Sequence, residues 1–155
     1  MSNSSVAERP LSHAVDGVDS PSTESQKGPM HAILLIDHGS RRPEANALLD
    51  EVVARVKARV GEEAIVEAAH MEIAEPTIEQ GFSRCVERGA SVVVAHPFML
   101  APGRHVQEDL PRLLAEAASS HEGVGFVVAA PLGTHDGVIS AIVERCEAAL
   151  DALGG

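Results

Sequence analysis

The sequence predicts a single α/β domain: a four-stranded parallel sheet in the order 2-1-3-4, with helices on both faces. Three observations predict it. Short apolar runs alternate with amphipathic stretches from His31 onward, giving βαβαβαβα with short connections, and such alternation implies right-handed crossovers in a parallel sheet. Hydrophobic residues make up 45% of the chain and aromatics only 2%, so the core must be built from Val, Ile, Leu and Ala, which suits strands buried on both sides. A length of 155 residues fits one domain. The 2-1-3-4 order is the flavodoxin-like arrangement, whose functional crevice lies at the carboxyl ends of the strands, near the switch between the first and third.

Residues 1–29, "MSNSSVAERPLSHAVDGVDSPSTESQKGP", are rich in Ser, Pro and acidic residues without periodicity, and read as a disordered tail. They lack the apolar segment of a signal peptide and are too acidic for a transit peptide. The domain is expected over 30–155. "HAILLID" is a short apolar run that fits a strand buried on both faces. After Pro43, the spacing of Leu49, Val52, Val53, Val56 and Val60 predicts an amphipathic helix that Gly61 ends. "AIVEAAHME" is the second strand. "EPTIEQGFSRCVERG" opens a helix with Pro76 early, places Ile78, Phe82, Cys85 and Val86 on one face, and stops at Gly89.

"SVVVAHPF" is the third strand, and its Val run is the strongest strand signal in the chain. "MLAPGRHVQ" reads as a loop, with a helix starting near Asp109 and Pro111 in its first turn. "VGFVVAAPLG" is a fourth strand ending at Pro131. "DGVISAIVERCEAALDAL" is the last helix, with Val138, Ile142, Cys146 and Ala149 on one stripe. Cys85 and Cys146 both fall at apolar helix positions, which reads as core thiols in a reducing compartment.

Charge narrows the partners. A net charge of −11 argues against a nucleic-acid backbone or an anionic membrane surface, and the lack of aromatics argues against base stacking. No apolar run reaches the roughly 18 residues a membrane span needs. A cytoplasmic protein is expected.

The predicted topology acts as a filter for chemistry. His38 follows the first strand, Glu72 the second, and His105 lies in the loop after the third; these strands are neighbours in the order 2-1-3. Two imidazoles and a carboxylate suit a divalent transition metal, whereas Mg²⁺ would want more oxygens. His70 and His96 read as hydrogen-bonded packing residues. His135, after the fourth strand, is a candidate pocket lining. Gly39 and Ser40 fit a tight turn or an anion-binding nest at a helix start, with Arg41 and Arg42 beside them. "DHGSRRPEAN" lacks the Gly-Lys-Ser/Thr ending of a phosphate loop.

Taken together, "IDHGSRRPEAN", "HMEIAEPTIEQGFSRCVERGA", "HPFMLAPGRHVQEDLPRLL" and, more weakly, "APLGTHDGV" resemble four ordered segments of the small, single-unit sirohydrochlorin chelatases, the class II chelatases that insert cobalt or iron into a precorrin-2-derived tetrapyrrole. The resemblance spans residues 31–150 and implies a chelatase-like fold in which His38 and His105 bind the metal and Glu72 completes the site, as ligand or as base. It implies a macrocycle wall from Phe98, Met99 and Leu100, and carboxylate partners among Arg41, Arg42, Arg104 and the amides of Gly39 and Ser40. It further implies Co²⁺, Fe²⁺ or Ni²⁺ as substrate, sirohydrochlorin as partner in siroheme or cobalamin formation, and a homodimer of single units. Without the cysteine-rich segment of plant-type relatives, no iron–sulfur cluster is expected. The alternative is a non-enzymatic tetrapyrrole or metal carrier of the same fold.

Overall fold

A computed structural model describes residues 30–155; the predicted tail, 1–29, lies outside them. The elements alternate as β1 (Met30–Asp37), α1 (Pro43–Val60), β2 (Ala64–His70), α2 (Ile78–Glu87), β3 (Ala90–Pro97), α3 (Arg104–Ser119), β4 (Gly125–Val128) and α4 (Asp136–Asp151). The sheet is parallel throughout, in the order β2-β1-β3-β4. This is the predicted topology. It puts β1 at the centre and brings the carboxyl ends of β1, β2 and β3 side by side.

Alternation along β1 feeds two cores. Ala32, Leu34 and Ile36 pack with Phe82 and Cys85 of α2 and with Leu110 and Leu114 of α3. Leu35 packs on the other face with Leu49 and Val53 of α1 and Val66 and Ala68 of β2. Gly81 allows the close approach of α2, because a Cβ there would meet Ala68 O at 2.8 Å and Leu34 Cδ1 at 2.9 Å.

β4 ends at Val128 rather than Pro131, and three further features differ from expectation. α2 begins at Ile78, not near Pro76, because Thr77 forms a capping box with Gln80: each side chain bonds the other residue's backbone N–H. α3 begins at Arg104, so Arg104 and His105 are helical rather than in a loop, and Pro111 sits well inside the helix. Burial explains this: Val106, Leu110, Leu114 and Ala117 form one apolar face against the sheet, and that packing outweighs the hydrogen bond Pro111 cannot donate.

The third difference is the largest. α4 forms where expected, but none of its residues is buried and it does not pack on the sheet. The predicted stripe of Val138, Ile142, Cys146 and Ala149 therefore covers nothing within the described chain, and Cys146 is an exposed thiol, while Cys85 is buried as expected. Burial pushes the Cys85 thiol up to about 12. Among the described residues, no helix is long and apolar enough to cross a membrane.

Candidate functional site

The carboxyl ends of β1 and β2 are pinned to each other. Pairing continues past both strands: Met71 N donates to Asp37 O at 2.9 Å and Glu72 N donates to His38 O at 3.1 Å. His38 and Glu72 are thus adjacent by backbone bonding, and both side chains are exposed above the sheet edge. Phe98 N donates to Ile36 O at 2.7 Å and brings the end of β3 against the same edge.

Beneath this rim a buried imidazole pairs with a half-buried carboxylate. His70, 3% exposed, meets Asp37 with Nδ1 2.5 Å from Oδ1. The same Asp37 oxygen accepts the Gly39 N–H at 2.9 Å, which folds the chain over two residues and sets Gly39 at φ +81°. Only glycine fits: a Cβ there would lie 2.0 Å from Glu72 O. The packing expected of His70 is therefore structural support for the turn that carries His38.

The neighbouring amides are already occupied. Ser40 N donates to Asn46 Oδ1 and Asn46 Nδ2 returns a bond to Ser40 O, both at 2.9 Å. Arg42 N donates to Ser40 Oγ at 3.1 Å. In this conformation the Gly39 and Ser40 N–H groups serve the turn and are not free donors to an anion. Arg41 and Arg42 are exposed.

The β3 side is looser. Phe98 and Met99 are half-buried and Leu100 is 61% exposed. His105 stands in the first turn of α3 with its side chain 80% exposed, and its Nε2 is 2.9 Å from Asp109 Oδ2. With the proton on Nε2, that carboxylate orients the ring and leaves the Nδ1 lone pair open to a metal. Arg104 is paired with Glu108 on the surface at 3.0 Å. An apolar cavity of about 290 Å³ lies beside this helix, lined by Pro97, Pro102, Val106, Leu110, Val128 and Pro131 among others. His135 is exposed and caps α4, its Nδ1 accepting Gly137 N–H at 3.0 Å.

Among the described residues, no three His, Cys, Asp or Glu side chains cluster closely enough to hold a metal ion. His38 and Glu72 share one stretch of the edge; His105 approaches from a different helix. His96, at the end of β3, has a buried Nδ1 with no hydrogen-bond partner among the described residues, and burial lowers its pKa.

Two residues here escaped sequence reasoning. Asp109 was read only as a helix start; once α3 begins at Arg104, the i, i+4 spacing from His105 becomes a signal. Ile73, directly after Glu72, has φ +70° and is 65% exposed, at the centre of a turn closed by Ala74 N donating to Glu72 O at 2.7 Å. A β-branched residue there is strained, and sequence carries no signal for it.

The profile of one family, CbiX, matches residues 32–149. The chain belongs to the CbiX family. This agrees with the resemblance read from the four segments. Among curated relatives, this CbiX chain is 44% identical over 128 residues to the chloroplastic sirohydrochlorin ferrochelatase of Arabidopsis thaliana, covering 83% of this chain and 56% of the plant protein. It is 33% identical over 141 residues to the sirohydrochlorin cobaltochelatase of Methanococcus maripaludis, covering 75% of this chain and 97% of that enzyme. The chain thus spans little more than half of the plant relative and nearly all of the archaeal one.

Solved structures agree on the fold. The cobalt complex of the sirohydrochlorin chelatase SirB from Bacillus subtilis subspecies spizizenii superposes with a TM-score of 0.69 at 32% identity, covering 76% of this chain and 50% of SirB. A CbiX protein of cobalamin biosynthesis from Marinobacter aquaeolei VT8 gives 0.66 at 28% identity, covering 79% of this chain and 98% of that one.

Proposed function

We propose that this CbiX-family chain is a sirohydrochlorin chelatase that inserts Co²⁺ or Fe²⁺ into the macrocycle. One observation carries the reading: the chain aligns with 97% of a single-unit cobaltochelatase, and its relatives named sirohydrochlorin ferrochelatase or cobaltochelatase span plant, bacterial and archaeal proteins. Nothing in those names favours a carrier.

Metal insertion exchanges two pyrrole N–H protons for one divalent ion. The site must hold the ion, release it to the macrocycle and accept the protons. We assign the ion to His38, Glu72 and His105. The adjacency of His38 and Glu72 supports the first two; the free Nδ1 of His105 behind Asp109 supports the third. His105 is exposed on the first turn of α3, and closing the set requires its imidazole to move toward His38 and Glu72. A neutral imidazole carries a ring-nitrogen lone pair, which makes both histidines fit proton acceptors once the metal leaves them. Phe98, Met99, Leu100 and Ile73 supply apolar contact to the ring. Arg41, Arg42 and Arg104 answer its carboxylates. His135 lines the outer rim. The reading extends to a cytoplasmic homodimer, to siroheme or cobalamin as the destination, and to Ni²⁺ as a further metal that His and Glu ligands accept.

Metal-insertion absorbance of purified protein with sirohydrochlorin tests this. Activity should fall at least tenfold in both His38→Ala and His105→Ala. Full activity in both would overturn the ligand assignment. Binding of the macrocycle without turnover above the spontaneous rate would overturn the enzyme and favour the carrier.

A further inference from the structure

α4 opens on a residue that helices seldom use there. His135 is its N-cap, and Nδ1 of the ring accepts the Gly137 N–H at 3.0 Å. Short side chains with an oxygen are the usual caps, and Thr134 and Asp136 stand on either side. The cap falls on the imidazole all the same, and Asp136 lies inside the first turn.

A ring at the cap does what a carboxylate cannot. Accepting the Gly137 N–H requires a bare Nδ1, so the proton sits on Nε2. Gly137 therefore sets the tautomer. The backbone holds the residue from both sides: His135 N donates to Leu132 O at 3.1 Å, and His135 O accepts from Val138 N at 2.8 Å and Ile139 N at 3.2 Å. His135 is exposed, so it offers one N–H donor that is already oriented. Rotamer freedom is given up before a ligand arrives, which lowers the cost of binding one.

The segment that delivers His135 is tied to the proposed macrocycle wall. Leu132 N donates to Met99 O at 3.0 Å and Gly133 N to Leu100 O at 2.8 Å. Leu100 is 61% exposed, and His135 follows Gly133 by two residues, at the border of this apolar patch. A macrocycle lying on the patch carries its carboxylates around its edge. Arg41 and Arg42 can meet them from the β1 side, and Arg104 from α3. The β4 side has no such cation, since the chain from Gly125 to Glu144 contains neither Lys nor Arg. His135 is the fixed donor on that side.

We propose that His135 is a specificity-determining residue: its Nε2–H, set by the Gly137 cap, donates to one peripheral carboxylate of the tetrapyrrole on the β4 side. A directed hydrogen bond to an ionised acceptor is strong without a full positive charge, so Asp136 next to it does not prevent the contact. A macrocycle with an alkyl group at that place leaves the donor unanswered and binds more weakly. The inference deepens the chelatase reading given above and rests on it.

Absorbance titration of the full chain with metal-free sirohydrochlorin tests it, comparing wild type with His135→Asn. Asn is a favoured cap and still accepts the Gly137 N–H, but its amide stops short of where Nε2 stood. The variant should bind the macrocycle about tenfold more weakly. Its melting temperature should not fall, and it should bind Co²⁺ alone as tightly as wild type. A wild type that does not bind the macrocycle overturns the chelatase reading and this inference together. Equal binding by wild type and variant overturns this inference alone. So does loss of Co²⁺ binding in the variant, which would make His135 a metal ligand. Should the variant fold poorly, the wild-type ring decides by nitrogen-15 resonance of the His135 imidazole. The free protein must show the Nε2–H tautomer, and the Nε2 signal must shift on saturation with macrocycle. The other tautomer, or an unmoved signal, overturns the proposal.

Discussion

The two halves of the crevice are built to different stiffness. The β1–β2 half is locked by strand pairing past Asp37 and His70, by the Asp37–His70 pair and by a glycine with no room for a Cβ. The β3–α3 half presents His105 on the first turn of an exposed helix end, held only by an ion pair at the surface. The difference fits the proposed role, in which the site must both hold a metal and let it go. One half keeps two groups in place, and the other can approach or withdraw without disturbing the core.

The sharpest break in this contrast is Gly39→Ala. The added carbon would sit 2.0 Å from Glu72 O at a φ of +81°, so the turn must move. Denaturant unfolding should show a loss of about 3 kcal/mol or more, with insertion activity abolished. His70→Ala comes next. It removes a buried ring, leaves a half-buried carboxylate with one partner fewer and should cost about 2–3 kcal/mol by the same measurement. On the loose half, His105→Ala should change stability by no more than about 0.5 kcal/mol while activity collapses. If His70→Ala and His105→Ala cost the same, the two halves do not differ in stiffness. Ile73→Gly should go the other way: relief of the positive φ should raise stability by about 1 kcal/mol while apolar contact with the macrocycle is lost, read as a weaker KM.

The smallest effect repeats the contrast away from the crevice, in the two cysteines. Cys146 is exposed and should react with iodoacetamide in the unassociated chain, whereas buried Cys85 should stay protected until unfolding. The folded Cys85 thiol holds its proton to about 12, against 9.0 ordinarily. The unfolded chain therefore ionises first, and the contribution of Cys85 to stability is full below pH 9 and falls as pH rises toward 12. Cys85→Ala should flatten that alkaline decline.

Much of the candidate site could be placed from the sequence because strand ends are local. An apolar run that stops at Asp37, His70 or Pro97 marks a carboxyl edge, and the residues just past it, His38 and Glu72, fall at the crevice by topology alone. His105 was chosen on a reading of the chain that was partly wrong, since it lies on a helix that packing extends past Pro111, not in a loop. Asp109 was missed with it. The Asp37–His70 pair was invisible because its partners lie 33 residues apart and meet only when β1 pairs with β2.

By itself the sequence determined the order of elements, the parallel sheet and which face of each helix is apolar. These follow from periodicity, and periodicity is a property of neighbours in the chain. Only the tertiary structure decided how rigid each half of the crevice is, which amides are already taken, and that α4 does not lie on its own sheet. An apolar stripe demands burial without naming the surface that provides it. The choice of surface belongs to the connection at 129–135 and to whatever meets α4 beyond it.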